Sequence, residues 1–321
     1  MSHNQYSLYT LILGGSALRH VEDAPFDPAV EESLVRGAGT MFPLNQFVAS
    51  QKSKFQIKTH DLFRILDSSE LAVPLAAGLA LGSASPSYYQ YRKRGEADFV
   101  AISSSAHLRL KSFNGTVWLN SIETSQDDKK LATAELTHQC LADSSGNFVT
   151  TEQNVTLSGT PAMTNAGYKL GPLYIDVSGT ATLMEGNAKM RYDSKLTYQD
   201  SPDAGRVHAR QGAMQSVNPT LNFNCKHLPR LITFGGSSAQ LQQVQVTNVT
   251  QYLQAIDDDG YPVAPGTPSH ISINFPIAKL SPSKVNPGDE KSDALIDYVA
   301  TLIWPDQTAT GLTLTVGTTI P

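Results

Sequence analysis

Hydrophobic and polar residues alternate along several short stretches of the chain, which is the pattern of a β-strand with one buried face. These stretches cover residues 106–111, 116–119, 132–137, 154–157, 241–249, 270–275 and 311–316. A parallel sheet would also need crossover helices of about 10–15 residues, and no such helical pattern separates the stretches. We therefore predict a mostly β protein built from antiparallel sheets.

Two short segments have helical spacing instead. Residues 59–66 carry an apolar stripe at i, i+3 and i+4, with Thr59 as the expected N-cap. Residues 28–35 are a weaker candidate, in which Pro28 takes the first helical position. Helices are therefore expected to be few and short.

The sequence also contains an internal repeat. Residues 55–66 match residues 221–232, 166 positions later, in their apolar pattern and in one identical Leu and one identical Arg. Residues 106–110 match residues 269–273, 163 positions later. Two matches in the same order at nearly the same offset favour a duplicated β domain over coincidence.

We predict two tandem domains, each an antiparallel β-sandwich or barrel-like sheet system with a short helix. The first domain covers residues 1–200 and the second covers residues 201–321, with the division in the polar stretch 198–205. The apolar, small-residue segment 71–86 has no assigned place in this scheme.

Composition narrows the class of protein. Hydrophobic residues make up 40% and charged residues 17% of the 321 residues, so the chain is expected to fold rather than to be disordered. The net charge of −5 argues against a dedicated nucleic-acid binder. No basic, apolar leader begins the sequence, and the longest apolar stretch, 71–81, is too short to span a bilayer. We expect synthesis in a cytosol and no membrane partner.

Motifs of catalysis and cofactor binding are missing: there is no GxSxG, HExxH, P-loop or GxGxxG pattern. Each of the two cysteines has a histidine two residues away, in the pairs His138 with Cys140 and Cys225 with His227. Together they would offer a zinc site, but their spacing matches no known finger, so we favour coincidence and reduced, buried thiols. No catalytic, cofactor-binding or metal-binding residue is assigned, and the protein is not expected to be an enzyme.

Three other features have both a functional and a purely structural interpretation. His107 and His270 occupy equivalent repeat positions and would be paired ligands, a pH switch or, as we favour, strand residues with hydrogen-bonded rings. Asp257 to Gly260 resembles a calcium loop but lacks its later acidic ligand, so an Asp-Gly turn is preferred. Arg92 to Gly95 follows three tyrosines and is interpreted as a solvated turn or subunit contact rather than a stacking site.

A strand at residues 55–58 that leads into the helix 59–66 and then into the sheet at 88–157, followed by a second such set in 221–316, resembles the two-domain major tail (tail tube) proteins of tailed bacteriophages. The resemblance is one of architecture and covers most of the chain. It implies a structural virion protein whose homotrimers form rings of six similar domains, which stack into a tube that conducts DNA.

The resemblance further implies the partners and location of the protein. The partners would be other copies of itself, the tape measure, terminator and tail-tip proteins, and DNA that passes without specific binding. The protein would be made in the host cytoplasm and reside in the virion tail. Two polar segments, 141–153 and 255–268, would be loops that reach an adjacent ring.

Two alternatives stay open at this point. A tail-tip hub protein would share the duplicated architecture. A β-sandwich binding module for glycans or a receptor would use Tyr88, Tyr89, Tyr91 and Trp118. Self-association separates the module from the tube, because only the tube requires rings.

Overall fold

The computed structural model describes residues 5–35, 45–126, 131–158, 167–177, 180–201, 206–225, 244–286, 295–303 and 312–321. Within these residues regular structure is almost entirely strand, the strands pair antiparallel, and one helix of five residues interrupts them. The prediction of a mostly β fold of antiparallel sheets is confirmed.

Thirteen strands and the helix lie in the first half of the chain: β1 (Gln5–Leu13), β2 (Ser16–Leu18), β3 (Val21–Asp23), β4 (Phe26–Asp27), β5 (Val30–Val35), β6 (Asn45–Gln51), β7 (Lys54–Thr59), α1 (Leu62–Leu66), β8 (Leu79–Leu81), β9 (Ser87–Arg94), β10 (His107–Ser112), β11 (Asn114–Ser125), β12 (Thr133–Leu141) and β13 (Val149–Val155). Twelve follow: β14 (Gly167–Val177), β15 (Thr180–Met184), β16 (Lys189–Asp193), β17 (Thr197–Ser201), β18 (Gln211–Ser216), β19 (Thr220–Cys225), β20 (Val244–Val246), β21 (Asn248–Ile256), β22 (His270–Phe275), β23 (Ala278–Asn286), β24 (Leu295–Leu302) and β25 (Thr313–Thr318).

The helix begins two residues later than the sequence predicts. Its N-cap is Asp61, whose carboxylate accepts a hydrogen bond from the N–H of Arg64 at 3.5 Å. Thr59 instead ends β7 and accepts a bond from the N–H of Asp61 at 3.1 Å. The matching helix expected within residues 226–232 lies outside the described residues.

The helix expected at residues 28–35 is wrong. Ala29 has a φ of 40°, which takes the backbone out of the helical region, and Val30 begins the strand β5. This strand pairs with β6, so a partner strand satisfies backbone groups that a short helix would have left open at its ends.

Residues 241–249 also differ from the expected single strand. Residues 241–243 lie outside the described part, and the rest divides at Thr247 into β20 and β21, which belong to different sheets. Thr247 directs both its N–H and its hydroxyl at the carbonyl of Asp176, at 3.1 and 3.0 Å. Because the chain changes sheets there, Val246 and Val249 are both buried, which strict alternation within one strand would not allow.

Three sheets form the body of the protein. A central sheet of 11 strands has the order β20-β23-β24-β19-β16-β11-β12-β7-β3, with β4 paired to β7 and β8 paired to β11. A first outer sheet has the order β13-β10-β9-β1-β2, and a second outer sheet has the order β15-β14-β21-β22-β25. Two hairpins, β5–β6 and β17–β18, complete the fold.

The outer sheets cover one face of the central sheet and bury a shared apolar core. Phe55 of the central sheet stacks on Tyr89 of the first outer sheet, with ring centroids 3.4 Å apart. Tyr192 of the central sheet meets Phe275 of the second outer sheet edge-on at 6.4 Å. The architecture is therefore a β-sandwich whose central sheet runs through both halves of the chain.

Strand order recurs between the two halves. Read from the opposite end, the second outer sheet is β25-β22-β21-β14-β15, which parallels β13-β10-β9-β1-β2 strand for strand. In the central sheet, β8-β11-β12-β7 parallels β20-β23-β24-β19. A duplicated origin of the two halves stays a prediction, but the recurrence of pairing is a property of the fold.

The irregularities of the strands recur as well. The β10–β13 pair has a bulge directly after His107, and the β22–β25 pair has one directly after His270. The extra residue is Asn154 in one and Gly317 in the other, and both have positive φ, 57° and 76°. Equivalent bulges need equivalent left-handed residues, so the sheets match in local conformation as well as in order.

The division expected at residue 200 falls inside β17, and the strands that parallel the first outer sheet begin with β14 at Gly167. The division into two domains stays a prediction. Segment 71–86 supplies β8, and its Leu71, Val73 and Leu75 are buried in the core.

Candidate assembly site

One strand pair joins the two halves of the central sheet. β16, from the second half, lies antiparallel to the end of β11, from the first half. The register sets Ser121 opposite Asp193 and Ile122 opposite Tyr192. We call this pairing the internal junction.

The internal junction carries charge on its polar face and an aromatic ring on its buried face. Arg191 donates to Glu123 at 2.7 Å and to Asp193 at 2.8 Å, which ties the two strands together. Tyr192 is fully buried, and its hydroxyl donates to the carbonyl of Leu75 at 2.5 Å. Burial also raises the pKa of Tyr192, so its hydroxyl keeps its proton.

The two strand edges that pair at the internal junction, those of β16 and β11, have counterparts at the two ends of the central sheet. β3 and β4 flank β7 as β16 flanks β19, with Phe26 beside Phe55 where Tyr192 lies beside Leu221. On their other side, β3 and β4 have no partner strand among the described residues. We call this the leading edge.

β23 ends the sheet on the opposite side. β20 covers only its first three residues, from Ala278 to Leu280, just as β8 covers Gly115 to Val117 of β11. The remainder of β23, as far as Asn286, pairs with β24 alone within the described part of the chain. We call this remainder the trailing edge, because it occupies the position at which β11 receives β16.

Backbone geometry keeps the leading edge open. Pro25 directs its carbonyl at the N–H of Gln56, at 3.1 Å, so the missing N–H of the proline faces the paired side. The N–H of Ala24 has no strand partner and bonds to the carboxylate of Asp23 at 2.9 Å. A further strand could therefore pair here without meeting the proline.

Residues singled out as possible ligands are structural where they are described. His107 and His270 are fully buried, and both nitrogens of each ring bond to backbone groups, which confirms the structural interpretation. Cys140 and Cys225 are buried and form no disulfide, and the strands β11 and β16 lie between them in the sheet. His227 lies outside the described residues. No group of three or more His, Cys, Asp or Glu within the described ranges could hold a metal.

The acidic run at Asp257 forms the expected turn. Its carboxylate accepts bonds from the N–H groups of Asp259 and Tyr261, and Gly260 has a φ of 86°. Asp143 makes the corresponding bonds to Ser145 and Asn147. These carboxylates satisfy their own loops, as Asx turns do.

The aromatic residues proposed for ligand binding do not form one surface. Tyr89 is fully buried under Phe55, and Trp118, which is 8% exposed, stacks on Tyr198 with centroids 5.0 Å apart. Tyr88 lies on the face of β9 opposite to Tyr89, and the guanidinium of Arg109 lies 4.6 Å from the centre of its ring. Sequence proximity does not bring these rings together because alternate strand residues face opposite sides.

The basic run 92–95 lies mainly in β9, where Arg92 donates to the carbonyl of Val100 at 2.8 Å. Of the two segments expected to be long loops, 141–153 is a connection only over residues 142–148, since β13 begins at Val149. Residues 255–268 do form a connection, between β21 and β22.

Neither family models nor curated proteins of known sequence match this chain. Among the described residues, no helix is long and apolar enough to cross a membrane.

Proposed function

We propose that this protein is a structural subunit that assembles head to tail with copies of itself, the leading edge of one copy pairing with the trailing edge of the next. The observation that carries the proposal is the internal junction, which already makes this pairing once within each chain. Such a heterologous contact closes into a ring when its rotation permits, and closure removes the exposed sheet edges.

The internal junction specifies the register between copies. Equivalence with the Ser121–Asp193 and Ile122–Tyr192 pairs sets Lys284 opposite Asp27 and Val285 opposite Phe26. An oppositely charged pair, Lys284 with Asp27, would then lie across the contact. Cross-strand pairs of opposite charge stabilise antiparallel sheets.

In the tail tube proteins that the sequence resembles, such rings stack into a tube that conducts DNA, and we propose this role for the chain. The polar face of the central sheet supports it. Three of its cations are held by acids: Lys58 by Glu22 at 3.0 Å, Lys189 by Asp297 at 3.0 Å, and Arg191 at the internal junction. Cations that are already paired add little to the counterion release that drives tight binding, which favours passage of DNA along this face.

The binding-module alternative loses support, because two of its four aromatic residues are buried. The tail-tip hub alternative would use the same edges. It predicts single rings, whereas a tube subunit also stacks its rings, so electron microscopy of the assemblies distinguishes them.

Charge reversal at the proposed contact tests assembly. We expect the wild-type protein to form rings in native mass spectra, and Lys284→Asp or Asp27→Lys alone to weaken them. The double variant restores opposite charges and should recover assembly. Lys93→Asp, on the first outer sheet, controls for the loss of a lysine. A wild-type protein that stays monomeric at high concentration would overturn the proposal.

A further inference from the structure

We propose that the β5–β6 hairpin of each copy packs on the second half of the central sheet of the next copy, and that this contact buries its exposed valines. This inference rests on the proposed function, because it names a second contact between neighbouring copies. It is carried by a separate observation, the behaviour of the other hairpin.

The two hairpins are equivalent in position and pairing. β5–β6 connects β4 to β7, and β17–β18 connects β16 to β19. Glu31 pairs with Ser50, and the hydroxyl of Ser50 donates to the Glu31 carboxylate at 2.5 Å. Thr197 pairs with Ser216, and their hydroxyls lie 2.7 Å apart. In both hairpins a register shift follows directly after this pair.

The second hairpin reaches across the internal junction and packs on the first half of the chain. Tyr198 stacks on Trp118 of β11, with centroids 5.0 Å apart. Met214 pairs with Tyr198, and its side chain lies beside Gly78 and Thr116. A Cβ added at Gly78 would collide with the side chains of Met214 and Thr116. The second hairpin therefore packs on the first half of the chain next to the internal junction.

The first hairpin is bonded to its own chain at its base, where the N–H of Gln51 donates to the carbonyl of Val207 at 2.9 Å, but it carries exposed apolar residues. Val48 pairs with Glu32 directly after the register shift, the position that Met214 holds in the second hairpin, and it is 41% exposed. Val30 of the same hairpin is 43% exposed. Val30 pairs with Gln51 and Val48 pairs with Glu32, so the two valines lie diagonally across the hairpin, where a partner would remove both from water.

Pairing of the leading and trailing edges would bring a matching surface to this hairpin. In the second hairpin, Met214 lies near Thr116, which pairs with β8. Lys279 pairs with β20 in the same way, so Lys279 is the residue of the next copy that Val48 would contact. Lys279 is exposed. Its aliphatic stem would pack on Val48 and remove both from water.

Cross-linking between two populations tests this placement. Val48→Cys and Lys279→Cys are prepared as separate proteins, mixed, and treated with a flexible bismaleimide. The native cysteines are buried and should not react. We expect a cross-linked dimer that contains one chain of each variant. A single chain carrying Met214→Cys and Thr116→Cys is the matched control, because it should cross-link internally whether or not copies assemble.

A second measurement uses the stability of the rings. Val48→Asp should raise the concentration needed for half-assembly by about tenfold or more, since it places a charge where an apolar contact is expected. Ile102→Asp replaces another β-branched residue, also 41% exposed, and should leave that concentration unchanged. Rings that form without the mixed cross-link and tolerate Val48→Asp would overturn the hairpin placement alone. Failure of the wild type to assemble would overturn the proposed function and this inference together.

Discussion

His107 and His270, 163 positions apart, make the same two hydrogen bonds. Nδ1 of His107 accepts from the N–H of Lys93 at 3.1 Å, and Nδ1 of His270 accepts from the N–H of Ala255 at 3.0 Å. The Nε2 atoms lie 2.9 Å and 3.0 Å from the carbonyls of Ala101 and Ala264. Each ring therefore holds a strand to the connection that follows it.

Removing either ring should destabilise the protein by a similar amount. His107→Leu leaves the N–H of Lys93 and the carbonyl of Ala101 without their partner, and a buried unsatisfied group costs about 1–3 kcal/mol. We expect each of His107→Leu and His270→Leu to lower the free energy of unfolding by roughly 2–4 kcal/mol in urea titrations. A change below about 0.5 kcal/mol in either variant would contradict the structural role.

The two equivalent bulges predict different effects of substitution on the free energy of unfolding. Gly317 and Asn154 hold the same left-handed position, where a residue with a Cβ is strained. Gly317→Val should cost about 1–2 kcal/mol of unfolding free energy, whereas Asn154→Gly should be neutral or slightly stabilising. Thermal unfolding of both variants checks this. Equal destabilisation by both would show that the two positions differ in conformation.

The cysteines should be inert in the folded protein. Cys140 is buried, and burial raises the pKa of its thiol to about 12, which removes the reactive thiolate near neutral pH. Cys225 is fully buried as well. We expect no reaction with a chromogenic disulfide reagent at pH 8, and two reactive thiols after denaturation. Rapid labelling of the native protein would show that these strands open readily.

Sequence patterns predicted the fold class because strand alternation is local. The repeat at residues 55–58 and 221–224 was also visible, and those stretches do form β7 and β19, paired in equivalent registers. The pattern could not show that β16 joins β11, since that pairing depends on which edge each half leaves open. Nor could it separate Thr59 from Asp61 as the helix cap, because both are good capping residues.

The aromatic cluster shows a second limit of the sequence. Tyr88 and Tyr89 are neighbours in the chain, yet Tyr89 is fully buried and Tyr88 contacts surface cations. Only the register of β9 between β1 and β10 decides which tyrosine faces the core. A one-residue shift would exchange them.

His138 is a buried base within the core of the first half. Its Nδ1 lies 2.7 Å from the hydroxyl of Tyr89, and its Nε2 is buried without a hydrogen-bond partner. Burial lowers the pKa of this imidazole to about 3. The ring therefore stays neutral in the folded protein at pH values where an exposed histidine carries a proton.

This difference should make stability fall as the pH falls below about 6.5. The unfolded chain then binds a proton at His138 that the folded protein does not, so the free energy of unfolding falls by up to about 1.4 kcal/mol per pH unit until about pH 3. We expect His138→Gln to lose roughly 2 kcal/mol less than the wild type between pH 6.5 and 4.5 in urea titrations. Tyr89→Phe keeps the buried imidazole and should retain the wild-type dependence. If the wild type and His138→Gln lose equal stability over this range, the imidazole is not held neutral by burial.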